Sequence, residues 1–156
     1  MFRFSASAQN FRICSTEIEV QSRRFSMNVR VYLEDTDAQG VVYNASYFRF
    51  MERARTECLR ELGIDHDAFR DAHGANFVLA HIEAKFVAPS RLSDMLAVDA
   101  NLTDIKGARI VFEQAIRRNG GQGELVCFGR AEVACIDVER QRPKRFPEHL
   151  IREWLS

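Results

Sequence analysis

The chain has 156 residues, enough for one domain with a substantial core and too few for two comfortable ones. Lys plus Arg and Asp plus Glu are balanced at 22 each, so no long-range basic field exists to collect nucleic acid or an acidic membrane surface, although a local cluster could hold a phosphate-bearing small ligand. A hydrophobic fraction of 46% without an uncharged apolar run of bilayer length predicts a soluble folded protein and no transmembrane segment.

Residues 1–26 are Ser-rich, carry no acidic side chain before Glu17 and lack the continuous apolar stretch of a secretion signal. They read as an N-terminal extension, flexible or contributing one added strand over 17–21, ahead of a domain spanning 27–156. Four cysteines, Cys14, Cys58, Cys127 and Cys135, show no C-x-x-C spacing. They read as buried free thiols of a reducing, hence cytoplasmic, compartment.

In "NVRVYL" (28–33) Val29 and Val31 alternate with Arg30 and Tyr32, the period of a half-buried strand. The loop "EDTDAQGVVYNASY" follows. Over 44–63 the period changes: Tyr47, Met51, Ala54, Cys58 and Leu62 step by four and three, while Arg49, Glu52, Arg53, Arg55, Glu57 and Arg60 form a charged side. The spacing predicts an amphipathic helix of about five turns, with Asn44 as N-cap and Gly63 as a left-handed stop. "IDHDAFRDAHGAN" reads as a short helix or loop, with His66 and His73 as loop residues.

Four strand-like runs come next, at 77–87, 95–105, 108–118 and 124–138, separated by "APSRLSD", by Lys106–Gly107 and by "NGGQG". Such short links predict antiparallel neighbours. Ile110, Phe112 and Ile116 face one way and Arg109, Glu113 and Arg117 the other, so the sheet has one side to bury. With one long helix to cover it, the fold class is α+β, a single antiparallel sheet wrapped around the 47–62 helix. "FPEHLIREWL" predicts a short closing helix, with Leu150, Ile151, Trp154 and Leu155 near one side.

The carboxylate loop invites two readings. Asp and Gly between a strand and a helix are ordinary turn residues, and Asp35 can serve in an Asx-turn. Equally, a helix start offers unpaired N–H groups and the positive end of a dipole, which suit an oxygen gaining charge, while a carboxylate nearby can supply or activate a nucleophile. Gly40 would allow a positive φ or close backbone approach.

"VRVYLEDTDAQGVVYNASYFRFMERART" resembles the signature of the hotdog-fold acyl-CoA thioesterases, within the branch of 4-hydroxybenzoyl-CoA thioesterase relatives encoded with the Tol–Pal envelope system. Weaker similarity runs through "FVLAHIEAKFVAPSRLSDML" and "IKGARIVFEQAI", so it covers the chain from Asn28 onward. The resemblance implies a hotdog fold, homodimers or tetramers, and thioester hydrolysis without a cofactor. It places Asp37 at the catalytic aspartate, acting as nucleophile or general base, and the backbone N–H of Asn44 at the oxyanion. Gly40, Val42 and Tyr43 fall on the substrate-binding stretch. Lys106 and Arg109, at a hairpin tip, match a region that contacts the nucleotide end of CoA, with Arg91 a further option; acyl carrier protein is an alternative carrier. One position departs from the branch: Asn44 stands where His is usual, which removes an imidazole but leaves the backbone donor.

His66, His73, His81 and His149 lack the spacing of a metal site, and no metal is expected. His81 reads as a surface-facing strand residue, and Glu52 with Arg55 as an i, i+3 pair on a helix face or subunit contact. A non-catalytic acyl-CoA or carrier-protein binding module is the alternative function that Asn44 leaves open.

Overall fold

The computed structural model describes residues 24–151. The possible strand at 17–21, Cys14, and Trp154 and Leu155 of the expected closing helix lie outside the described residues. Within them, β1 (Phe25–Arg30) leads through a one-turn 3-10 helix (Leu33–Asp35) and a tight loop into α1 (Asn44–Glu61). Then come α2 (His66–His73), β2 (Ala75–Phe86), β3 (Met95–Lys106), β4 (Arg109–Arg118), β5 (Leu125–Asp137) and a second 3-10 turn (Glu148–Leu150). The five strands form one antiparallel sheet in the order β1-β3-β4-β5-β2.

The first strand lies earlier than its predicted span and reaches back across the 26/27 boundary. Phe25 and Met27 extend the alternation of Val29 and pair with Ala100, Val98 and Leu96 in turn, whereas Leu33 has passed into the 3-10 turn. Successive strands are neighbours for β3, β4 and β5, but not for β2 and β3. The linker 87–94 instead crosses the end of the sheet: the N–H groups of Val87 and Ala88 donate to Val126 O, and that of Ser93 donates to Val31 O. β2 therefore borders β5 and, among the described residues, leaves its other side as an open edge.

α1 begins one residue before the sequence signal suggests. Tyr43, not Asn44, is the N-cap, in extended backbone (φ −66°, ψ 138°), because its N–H donates to Asp35 O while its own carbonyl receives Ser46 N–H. The far end stops as predicted. Gly63 has φ +79°, and the N–H groups of Gly63 and Ile64 close onto the carbonyls of Arg60 and Leu59. Leu59 and Ile64 are buried at this stop, the apolar contact that accompanies such an end.

Tyr47, Phe50, Met51, Ala54 and Cys58 bury the helix against Leu96, Val98, Ile110, Phe112 and Ile116 of the sheet. Full burial of side chains such as Phe50 and Met51 stabilises by about 2 kcal/mol each. Burial also pushes the Cys58 and Cys127 thiols up to about 12 and about 11 and raises Cys135, so all three are inert packing groups. α2 is a helix rather than a loop: Asp65 caps it by accepting from Asp67 and Ala68, Gly74 ends it, and His66 and His73 are its terminal residues, lying against Phe77 and Phe69. At the C-terminal side, the closing helix is only a 3-10 turn within the described residues, although Phe146 and Ile151 are buried as its apolar pattern requires.

Arg55 departs most from expectation. It is 5% exposed and turned inward, where one guanidinium nitrogen donates to Gln114 Oε1 at 2.8 Å. Gln114 Nε2 in turn donates to Met51 O and Asp99 O, which ties helix to sheet. Glu52 does not join this pair but accepts from Thr56 Oγ1. Desolvation lowers the Arg55 pKa, opposed by Glu52. Replacing Gln114 with Leu removes the acceptor of a buried charge, and urea unfolding should show a loss of about 2–3 kcal/mol. Adding Arg55→Met should recover part of it, because the uncompensated charge goes as well.

Candidate active site

The sequence folds the carboxylate loop into a narrow hairpin. Thr36 and Val42 form an isolated antiparallel bridge, Asp37 N–H donates to Val41 O at 2.9 Å, and Gly40 N–H donates to Asp37 O at 3.0 Å. Gly40 takes φ +74°, the left-handed conformation that closes the turn. One arm of the hairpin carries Asp37; the other runs through Val42 and Tyr43 directly into α1.

The two carboxylates of this loop are in different environments. Asp37 is half-buried, and its Oδ1 accepts from Gln39 N–H at 2.8 Å, so the Asx-turn expected at Asp35 is made here. Asp35 is 4% exposed and reaches back instead, accepting Tyr32 N–H through Oδ2 at 2.9 Å. Its Oδ1 stands 3.5 Å from the Arg49 guanidinium. Asp37 is thus the carboxylate within reach of a ligand, and Asp35 is enclosed.

At the helix start, Asn44 and Ala45 keep backbone N–H groups that make no hydrogen bond among the described residues, whereas Ser46 N–H turns back to Tyr43 O. Beside them lies an open groove of 310 Å³ lined by Val42, Asn44, Tyr47, Phe86, Val87, Ala88 and Pro89. Its wall is well anchored. Ser90 N–H donates to the Tyr47 hydroxyl at 3.2 Å, Val42 N–H to Ser90 O at 2.8 Å, and the Arg118 guanidinium to Pro89 O. Tyr47 packs edge-on to Phe50 and tilted on Phe86, and burial raises its pKa, so the phenol stays neutral. The arrangement is a small apolar slot with unpaired donors at one end and a carboxylate on the adjoining hairpin arm.

The family model of the thioesterase-like superfamily matches residues 31–155. The acyl-CoA thioesterase YbgC of Haemophilus influenzae is 39% identical over 126 residues, 81% of this chain and 90% of that one. The acyl-CoA thioester hydrolase YbgC of Escherichia coli O6:H1 is 38% identical over 83% and 95% of the two chains. Among solved structures, a probable thioesterase from Bartonella henselae is 32% identical, with a TM-score of 0.72 over 80% of this chain and 99% of that one. The chain belongs to the thioesterase-like superfamily. Its sheet and central helix are the hotdog fold of these thioesterases.

Within this thioesterase-like chain the expected ligand contacts fall into two groups. Val42 and Asn44 line the groove, Tyr43 is the exposed cap, Gly40 closes the turn, and Arg91 is exposed next to Ser90 at the groove wall. Lys106 and Arg109 do flank a hairpin tip, but at the other end of the sheet: β3 runs from Met95, beside the loop, to Lys106, a rise of roughly 36 Å. Arg109 is also held by Asp104 and Glu132, at 3.3 and 3.5 Å. Of the histidines, His81 is exposed and pairs in register with Glu132 on the outer face.

The sequence reading missed Tyr47 as a groove residue and Phe86 to Pro89 as its wall. Helical spacing marks Tyr47 as core, which it is, and nothing local reveals that its hydroxyl holds a segment 43 residues away. A Cβ on Gly40 would meet no atom within 4 Å, so Gly40→Ala tests backbone conformation alone. It should cost about 1 kcal/mol in denaturant melts and lower turnover more than that loss of stability explains, because the hairpin tip shifts.

Proposed function

We propose that this protein hydrolyses acyl-CoA thioesters to a carboxylic acid and free CoA, with Asp37 as nucleophile or general base and the Asn44 N–H as oxyanion donor. The observation that carries this reading is the hairpin that sets a half-buried carboxylate on one arm and an open helix start on the other. A thioester whose acyl part lies in the groove presents its carbonyl oxygen to the N–H groups of Asn44 and Ala45, where the helix dipole favours negative charge. Asp37 either attacks the carbonyl carbon, expelling CoA thiolate and leaving a mixed anhydride that water opens, or takes a proton from the water that attacks. No cofactor enters either route.

The cap at Tyr43 bears on the His-to-Asn departure. Since Asn44 is the first helical residue and its side chain caps nothing, the substitution changes a side chain and leaves the proposed donor in place. Release of CoA from short-chain, long-chain and aromatic acyl-CoAs should be readily measured for the wild type and fall a hundredfold or more in Asp37→Asn. Wild-type binding without hydrolysis would replace this reading by that of an acyl-CoA or carrier-protein binding module, and full activity in Asp37→Asn would remove Asp37 from the chemistry. Acyl carrier protein thioesters in the same assay identify the carrier.

We further propose that the working unit is a homodimer or a tetramer built from it. β2 is a twelve-residue edge strand with Val78 and Leu79 exposed, the kind of edge a second copy covers. A second copy paired antiparallel there points its Lys106 and Arg109 hairpin toward the end of the sheet that carries this chain's Asp37. The CoA phosphates would then be held by one protomer and the thioester by the other. On this arrangement Lys106→Glu should raise KM with kcat little changed, and mixing it with Asp37→Asn under subunit exchange should restore, at substrate well below that raised KM, turnover that neither variant shows alone at the same concentration. No recovery on mixing would place both functions in one chain.

A further inference from the structure

The groups that hold the hairpin and the helix start in their mutual positions converge on Asp35. Its Oδ2 accepts Tyr32 N–H at 2.9 Å, which closes the turn leading into the hairpin. Its main-chain oxygen accepts Tyr43 N–H at 2.8 Å and the Ser46 hydroxyl at 3.1 Å, both from the first turn of α1. Arg49 completes the circuit, donating to Ser46 Oγ at 3.0 Å with the same nitrogen that lies 3.5 Å from Asp35 Oδ1. The Thr36–Val42 bridge and the Asp37–Val41 bond come immediately after this knot, so the hairpin has little freedom to swing against the helix.

Asp35 is too enclosed to meet a ligand. A buried carboxylate is costly unless its oxygens are engaged, and here both are directed to groups that flank the site rather than to the core. We propose that Asp35 is a positioning residue, which acts through Tyr32, Ser46 and Arg49 to fix Asp37 relative to the Asn44 N–H. The proposal rests on the hydrolase reading above and adds to it a residue that touches neither substrate nor reacting atoms. Displacement of a reacting group by about 1 Å costs on the order of a hundredfold in rate, which sets the scale of the effect.

Asp35→Asn keeps the shape and an acceptor for Tyr32 N–H but turns an amide toward Arg49. It should lower kcat by about tenfold to a hundredfold with KM changed less than threefold. In an Asp37→Asn background the same change should cost little more, since positioning acts only through the group positioned. Arg49→Gln, at a half-exposed side chain that folding tolerates, should lower kcat by a few fold and add nothing further to Asp35→Asn. A role confined to stability would lower the melting temperature, leave kcat per folded molecule intact and multiply with every other change. Wild-type kcat in folded Asp35→Asn, a loss that multiplies with that of Asp37→Asn, or an Arg49→Gln without effect overturns the proposal alone. An inactive wild-type protein overturns the hydrolase reading and this proposal with it.

Discussion

The burial of α1 on the inner face of a five-stranded sheet is the constraint from which the site follows. Among the described residues α1 is the longest helix, and its apolar face is buried along nearly its whole length, from Tyr47 to Leu59. A helix pinned that way has no freedom to rotate or slide. Its first turn, with two N–H groups open among the described residues, is therefore held at one end of the sheet, next to the end of β1 and the beginning of β3. The positive end of the dipole is delivered to a fixed point, and the hairpin needs only to bring a carboxylate to it.

Arg55 and Gln114 give this packing its register. An all-apolar interface tolerates small slips, whereas a guanidinium that finds its acceptor only at one sheet position does not. Gly129 sits across from Gln114 in the register, and a Cβ there would fall 2.5 Å from Glu83 O, so strands β2 and β5 approach closely at that level. The polar contact under the helix and the small residue beside it form one local arrangement, some way down the helix from the carboxylate hairpin, and they fix where the helix start lies.

Much of this is legible in the sequence, for identifiable reasons. Alternation at Val29 and Val31, the four-and-three spacing from Tyr47 to Cys58, and Gly63 as a stop are local signals that report backbone geometry directly. The DTD loop could be recognised as a turn or as a site, and the family signature favoured the site. Asn44 reads as the cap because its side chain is of the capping type, while the actual cap, Tyr43, is set by a carbonyl eight residues before it, at Asp35. Arg55 reads as exposed because charge predicts exposure, and its acceptor among the described residues lies 59 residues away.

By itself, then, the sequence determined which segments are strands and which a helix, which face of each is apolar, and that a carboxylate stands close to a helix start. These depend on neighbours a few residues apart, whose relation the covalent chain already imposes. Only the tertiary structure decided the strand order, the inward turn of Arg55, the separate fates of Asp35 and Asp37, the groove behind Asn44 and the distance of Lys106 from it. Each of those depends on hydrogen bonds and contacts between segments brought together by the route of linker 87–94 and the seating of one helix, which no local periodicity encodes.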